Sequence, residues 1–219
     1  MFFHTHPYPP FVFDEATKLI VGTLPPPRFS TRELKEGDVD FCYGSRDGQL
    51  WPILDRIFEL GLTYANTQEA IEQRKHFLFK RRIGICDIVE VAEREKMDAS
   101  DLGLQNAELR DLVRLLEAYG NIDTLLFTGG NSKNGPEYFF RRHLKTYGLQ
   151  LRRVHDTLPR THRFRLPISG RTVTTVSLTA PSGSANRAVG SMASYKKMKT
   201  ENPDFTAVDF RVLQYRAFF

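Results

Sequence analysis

An apolar strand that runs straight into a proline-rich loop constrains the fold of this chain more than any other feature. Lys18–Gly22 (KLIVG) has the strand pattern, and residues 23–27 (TLPPP, the first loop) follow at once. Such a loop places backbone N–H and C=O groups at the carboxyl edge of a parallel sheet, where open α/β folds bind ligands. Residues 179–186 (TAPSGSAN, the second loop) also follow an apolar run. The two loops therefore predict one site between them.

The remainder of the chain alternates predicted strands with predicted helices. Strands are predicted at residues 82–89, 122–127, 149–154, 164–168 and 172–178, and helices at residues 49–62, 67–74, 106–119, 136–146, 189–200 and 204–219. Residues 1–13 contain three prolines and are expected to form an extended arm. The alternation predicts βαβ units and a mostly parallel sheet in a single domain of residues 1–219.

Charge and cysteine content narrow the functional class. The net charge of +5 favours a polyanionic partner without demonstrating one. Two cysteines are too few for an iron–sulfur cluster, and His4 and His6 have no third ligand at a suitable spacing, so no metal and no cofactor are expected. The absence of a long apolar run and of a signal-peptide pattern predicts a cytoplasmic protein without a membrane span.

Two aspartates stand where a carboxylate could be functional. Asp47 lies in a polar turn just before the helix predicted at residues 49–62, so it is either the helix N-cap or a catalytic carboxylate. Asp87 lies among apolar residues in RIGICDIV, where a carboxylate must be paired, hydrogen-bonded or at the strand edge. A functional carboxyl with a shifted pKa and a structural ion pair remain equally open for Asp87.

The second loop has the composition of a phosphate contact. Its hydroxyls and N–H groups precede a predicted helix, and Arg187 follows them. These groups suit a phosphate oxygen. An ordinary strand-to-helix loop explains them equally well.

Taken in order, these motifs resemble the uracil-DNA glycosylase superfamily, and most closely its hypoxanthine-DNA glycosylase-like branch, near the mismatch-specific enzymes. Residues 22–26 (GTLPP) are similar to the G-x-x-P-G loop of the superfamily, and residues 43–51 to the Tyr-rich turn that leads to an aromatic-Trp pair in the branch. Residues 84–88 (GICDI), 125–130 (LLFTGG) and 178–186 (LTAPSGSAN) are similar to the later motifs.

The resemblance implies a three-layer α/β/α sandwich around a central, mostly parallel four-stranded sheet. It also implies a monomeric DNA glycosylase of base-excision repair, which flips a deaminated or mismatched base out of DNA and hydrolyses its N-glycosidic bond. The implied catalytic carboxylate is Asp47. The implied base pocket consists of Gly22, Thr23, Leu24, Pro25, Tyr43, Gly48 and Asp87. Contacts to phosphates, or to the gap left by the flipped base, are implied for Ser182, Ser184, Asn186 and Arg187.

Two departures from the pattern keep alternatives open. Gly48 stands where the branch has its proposed catalytic Asn, and Pro26 stands where the superfamily has Gly. The chain could therefore be a non-catalytic, damage-sensing DNA-binding member of the same fold. A small-molecule-binding α/β protein that uses the same sheet edge is the second alternative.

Overall fold

The computed structural model describes residues 1–98, 100–155 and 157–219. The strands are β1 (Phe2–Thr5), β2 (Lys18–Gly22), β3 (Ile83–Asp87), β4 (Val89–Arg94), β5 (Leu104–Leu109), β6 (Thr124–Phe127), β7 (Arg152–His155), β8 (Arg160–Arg165) and β9 (Thr172–Ser177). The helices are α1 (Pro27–Ser30), α2 (Leu50–Phe58), α3 (Gln68–Arg81), α4 (Leu112–Ala118), α5 (Pro136–Thr146), α6 (Asn186–Ser191), α7 (Ala193–Glu201) and α8 (Ala207–Arg216). None of the helices in these ranges has the length and the apolar composition of a membrane span.

The main sheet has six strands in the order β3-β2-β6-β9-β8-β7. The first four are parallel, and β8 and β7 continue the sheet in antiparallel pairing. The four-stranded sheet implied by the resemblance is therefore too small. Its extension is a hairpin, which needs only a short connection, whereas each further parallel strand would need a crossover helix.

Helices cover both faces of the parallel strands. Side chains alternate along β2, so that Leu19 and Val21 join one apolar cluster with α4 and α5, while Ile20 joins another with α2, α3 and α8. The molecule thus has an α/β/α arrangement, with the apolar core on both sides of the sheet.

The N-terminal arm forms part of a second sheet. β1 pairs with β4, and β4 pairs with β5, all antiparallel. Farther along the arm, Phe11 bridges to Ile85 at the edge of the main sheet. The predicted extended arm is therefore a strand packed on the domain.

The helices predicted at residues 49–62 and 204–219 are shorter in the structure, and three others differ more. The first part of the helix predicted at residues 106–119 is strand β5, and α4 begins only after Asp111, whose side chain accepts a hydrogen bond from the Arg114 N–H. The short helix predicted at residues 67–74 continues through the basic run to Arg81. The helix predicted at residues 189–200 is two helices, which are separated at Met192.

Candidate functional site

Several of the sequence motifs meet at the carboxyl edge of the parallel strands. Gly22 ends β2 and Asp87 ends β3, side by side in register. A Cβ atom on Gly22 would lie 2.0 Å from the Tyr43 hydroxyl oxygen and 2.3 Å from Asp87 Oδ1, so only glycine fits there. The Tyr43 hydroxyl is also 2.9 Å from Thr128 Oγ1, just beyond β6. Residues from four separate segments are thus in contact.

The Tyr43 hydroxyl lies against both Gly22 and Thr128 in this cluster. Its backbone has a positive φ of 58°, in the left-handed region. Burial raises the pKa of its phenol well above the usual value, and the negative charge of Asp87 adds to the effect. Tyr43 is therefore a neutral hydrogen-bonding group at physiological pH, and the residue as a whole is half-buried.

The buried Asp87 carboxylate is paired with a histidine of the arm. Asp87 Oδ2 lies 2.9 Å from His6 Nε2, and His6 Nδ1 accepts a hydrogen bond of 3.0 Å from the Tyr8 N–H. Because Nδ1 accepts, the imidazole proton is on Nε2 and is donated to Asp87. Both ring nitrogens are thereby occupied, so His6 positions Asp87 and is not a free base.

The first loop itself is buried. Residues 22–25 are all buried, and the Leu24 side chain packs into the apolar cluster that contains α4 and α5. Gly22 and Thr23 accept hydrogen bonds through their carbonyl oxygens from Ile88 and Val89. Leu24 can therefore face a ligand only through its backbone.

Asp101 is a residue of this region that sequence reasoning missed. It begins a single 3₁₀ turn, Asp101–Gly103, and is partly buried. Burial raises the pKa of its carboxyl group to about 7, although the Thr23 side chain and Arg94 act to lower it and Asp87 raises it further. The surrounding sequence, KMDASDLG, is an ordinary polar loop with no signal for this placement.

A buried polar cluster supports the turn that carries Asp101. Arg94 donates from Nη1 to the Ser100 carbonyl oxygen at 2.7 Å and from Nε to His4 Nδ1 at 2.8 Å. Asn134 Nδ2 donates to the carbonyl oxygen of Asp101 at 2.8 Å. Burial lowers the pKa of His4 to about 3, with Arg94 and His6 adding to the effect, so His4 is neutral. The arm thus supports both Asp87 and the turn of Asp101.

Asp47 has a different environment. Its side chain is 68% exposed, and Oδ2 lies 3.1 Å from Arg28 Nη2. The same guanidinium holds the buried Asp38 through two further hydrogen bonds. The N-cap of α2 is Gln49, so the interpretation of Asp47 as the N-cap is wrong. Asp47 is accessible to a substrate, and its catalytic role stays a prediction.

The second loop joins the turn that contains Asp47. Gly48 and Ser182 form an isolated β-bridge, and the Gln49 N–H donates to the Pro181 carbonyl oxygen at 2.9 Å. The Ser182 and Ser184 hydroxyls lie 3.0 Å from each other. Ser184, Asn186 and Arg187 are exposed, as the predicted phosphate contacts would require.

The fully buried Arg211 of α8 fixes this junction. It donates to the carbonyl oxygens of Ala180 at 2.8 Å and Ser182 at 3.1 Å, and to the side-chain oxygens of Gln49 at 2.9 Å and Asn186 at 2.8 Å. The amide oxygen of Asn186 is therefore already used within the fold. Sequence reasoning missed Arg211, because a basic residue in an amphipathic helix is usually exposed.

Arg160 brings a positive charge to the same edge. It begins β8 opposite Ser177, and a Cβ atom on Gly130 would lie 2.7 Å from its Nη2. Behind it, the buried Glu137 accepts hydrogen bonds from Ser177 at 2.6 Å and from Arg141 at 2.8 Å. Arg160 is a second residue of the edge that the sequence analysis did not select.

No metal centre is evident among the described residues. No group of three or more His, Cys, Asp and Glu side chains in these ranges could hold a metal ion. Two surface depressions of about 450 and 430 Å³ are lined by none of the residues predicted for the base pocket. Trp51 packs in the core, with its indole N–H donating to the Cys42 carbonyl oxygen, so it is not a stacking platform.

Comparisons with known proteins support the fold. No family model and no curated protein matches the sequence. A solution NMR structure of a "putative uracil DNA glycosylase" from Methanosarcina acetivorans matches with a TM-score of 0.53 and 17% identity, over 95% of this chain and 98% of that one. The chain therefore has an α/β fold similar to that of the archaeal protein. The likeness shows the fold alone.

Proposed function

We propose that this protein is a DNA glycosylase, which hydrolyses the N-glycosidic bond of a deaminated or damaged base. The observation that carries the proposal is the convergence at one sheet edge of Gly22, Tyr43, Asp87 and Thr128, to which the Gly48–Ser182 bridge joins the second loop. Each of these segments belongs to a motif that resembles the superfamily. The fold shared with the archaeal structure supports the same conclusion.

In this proposal the target nucleotide is flipped out of the DNA towards the first loop. Gly22 lies directly beneath the Tyr43 hydroxyl, so an incoming base rests on the Tyr43 ring or displaces it. Asp87 and the backbone at Thr23 and Leu24 read the edge of the base. Flipping costs a few kcal/mol of unstacking, and the cost is lowest at a mismatch.

Two carboxyl groups share the chemistry. The exposed Asp47 carboxylate positions the attacking water and stabilises the sugar as it acquires oxocarbenium character. Asp101, whose pKa of about 7 lets it hold a proton near neutral pH, donates that proton to the leaving base. The bond between the sugar and the base nitrogen breaks, water supplies the hydroxyl group that the sugar gains, and the Asp47 carboxylate accepts the proton that the water loses.

A DNA-binding protein that does not cleave is the second candidate. Gly48 takes the place of the catalytic Asn of the branch, and Arg28 pairs with the carboxylate beside it. The hydrogen bond between His6 and Asp87 also favours the non-cleaving candidate, because it occupies one oxygen of that carboxylate. Such a protein would recognise damaged DNA and leave the base attached.

Carboxamide variants separate the candidates. We expect base release from a uracil-, hypoxanthine- or xanthine-containing duplex to fall at least 100-fold in Asp47→Asn and in Asp101→Asn, while DNA affinity changes less than threefold. Asp14→Asn is the matched control, because Asp14 is exposed at the opposite end of β2. Full activity in either variant removes that residue from the mechanism.

Salt dependence tests whether the partner is DNA at all. A protein that contacts several phosphates loses affinity steeply as salt rises, whereas a metabolite-binding protein does not. We expect the affinity for a 20-base-pair duplex to fall by about 100-fold or more between 50 and 200 mM salt, as for about four or more phosphate contacts. A flat profile would favour the small-molecule alternative.

A further inference from the structure

The net positive charge of the chain is concentrated in one segment. Residues 149–178 contain six arginines and one aspartate, which amounts to the +5 of the whole protein. The other 25 basic residues are balanced by the other 25 acidic ones. This segment forms strands β7, β8 and β9, the antiparallel end of the main sheet.

Three of these arginines share one exposed face. Arg152 lies directly opposite Arg163 in the β7–β8 register, and Arg165 is two residues along β8 on the same side. The intervening Phe164 points the other way, into the cluster with Phe140 of α5. Arg152, Arg163 and Arg165 together form a surface that we call the arginine face.

The arginine face is costly to the fold. Like charges directly opposite each other on neighbouring strands destabilise a sheet. Within the part of the chain that the structure describes, neither Arg152 nor Arg163 has a hydrogen-bond or ion-pair partner, whereas Arg165 donates to the Gly170 carbonyl oxygen. All three side chains are exposed, which shows that no described helix covers this face. Among the described residues, the guanidinium groups of Arg152 and Arg163 therefore have no anionic partner.

The arginine face is also close to the candidate site. β8 begins at the carboxyl edge, where Arg160 pairs with Ser177, and then runs away from that edge. Arg163 is three residues farther along, which is about 10 Å at the usual rise of an antiparallel strand. This distance equals about three base-pair steps of a duplex.

We propose that the arginine face binds the phosphate backbone of the nucleic acid on one side of the target nucleotide. This inference rests on the proposed function for the identity of its partner. Guanidinium groups match phosphate geometry through paired N–H donors, and the exposed cross-strand pair can span neighbouring phosphates. A nucleic acid fits better than an acidic protein, because the arginine face begins about 10 Å from a sheet edge whose residues face a flipped nucleotide in the proposed function.

The test removes the cross-strand pair and measures DNA affinity against salt. Arg152→Gln/Arg163→Gln is compared with Lys80→Gln/Arg114→Gln, which removes two exposed charges from helices α3 and α4. We expect the first variant to bind an undamaged 30-base-pair duplex about tenfold more weakly at low salt and to reduce the slope of log K against log salt by about 1.8, at about 0.9 per phosphate. The control variant should change affinity less than twofold.

Duplexes with the damaged base near one end locate the contact. Two duplexes are used, and each keeps only about four base pairs on one side of the damaged base. The weaker binding of Arg152→Gln/Arg163→Gln relative to the wild type should disappear for one of these two duplexes, the one that lacks the contacted phosphates. The single-turnover rate of base release at saturating DNA should be unchanged in the variant.

The outcomes separate this inference from the proposed function. A salt slope equal to that of the wild type, with base release intact, would overturn the arginine face alone. A wild-type protein that neither binds nor cleaves DNA would overturn both. Binding of polyglutamate through Arg152 and Arg163, without DNA binding, would overturn the inference in favour of an acidic protein partner.

Discussion

Replacing Asp101 with Asn should remove a loss of stability that the wild type undergoes as pH rises. The pKa of Asp101 rises in the fold from its ordinary 3.8 to about 7, chiefly through burial. Between these two values the folded state holds a proton that the unfolded chain has released. The stability that this group contributes is therefore complete below pH 3.8 and is lost as pH rises through 7.

The size of the effect follows from the two pKa values. A difference of about three pH units corresponds to about 4 kcal/mol at full burial. Because Asp101 keeps some contact with solvent, we expect the free energy of unfolding of the wild type to lose about 2 to 4 kcal/mol through this group between pH 4 and pH 8. His4 has the opposite trend, since its pKa is lowered to about 3 and its contribution increases as pH rises from 3 to 6.5. His4 is present in both proteins, so its contribution cancels in their difference.

The assay is urea unfolding of the wild type and Asp101→Asn at each pH from 4 to 8. The free energy of unfolding of the variant, minus that of the wild type, should increase with pH by the amount given above. Asp14→Asn is the control for the loss of one exposed acid. Parallel curves, with a difference that stays constant from pH 4 to pH 8, would refute the placement of Asp101 against Thr23 and Arg94.

Three further variants test the contacts of the site by urea unfolding. Gly22→Ala places a methyl group against Tyr43 and should lower the free energy of unfolding by about 3 kcal/mol. Gly120→Ala is its control, because a Cβ atom there meets nothing within 4 Å. Equal effects of the two variants would contradict the close packing of Gly22 against Tyr43. Arg211→Met leaves several acceptors unpaired and should cost about 3 kcal/mol, with DNA binding also weakened; a cost below about 1 kcal/mol would show that the junction does not depend on it. His6→Ala removes the only described hydrogen-bond donor to the buried Asp87 side chain and should cost about 2 kcal/mol, whereas wild-type stability would exclude that pairing.

The elements that sequence predicted best are those with strong local signals. Strand Lys18–Gly22 and helix Pro136–Thr146 have the predicted bounds, because the first is continuously apolar and the second begins at a proline and has an apolar face. Residues 104–109 were predicted in part as helix but form β5, since their pairing with β4 outweighs a helical spacing of leucines.

The site was predictable in outline and not in its supporting contacts. The positions of Gly22, Tyr43 and Asp87 follow from a rule about the ends of parallel strands, so their grouping could be anticipated. The pairing of Asp87 with His6 joins residues 81 positions apart, and Arg211 reaches Gln49 across 162 positions. Contacts of that kind depend on the packing of whole elements, and no local pattern in a single sequence encodes them.

Release of free base is the measurement that tests the proposed activity most directly. Wild-type protein is incubated with duplexes containing uracil, hypoxanthine or xanthine, and with an undamaged duplex, and the free base and the abasic strand are quantified together. We predict that one of the damaged duplexes yields both products in equal amounts and that the undamaged duplex yields neither. Intact strands from all three damaged duplexes, under conditions where the protein binds them, would contradict glycosylase activity.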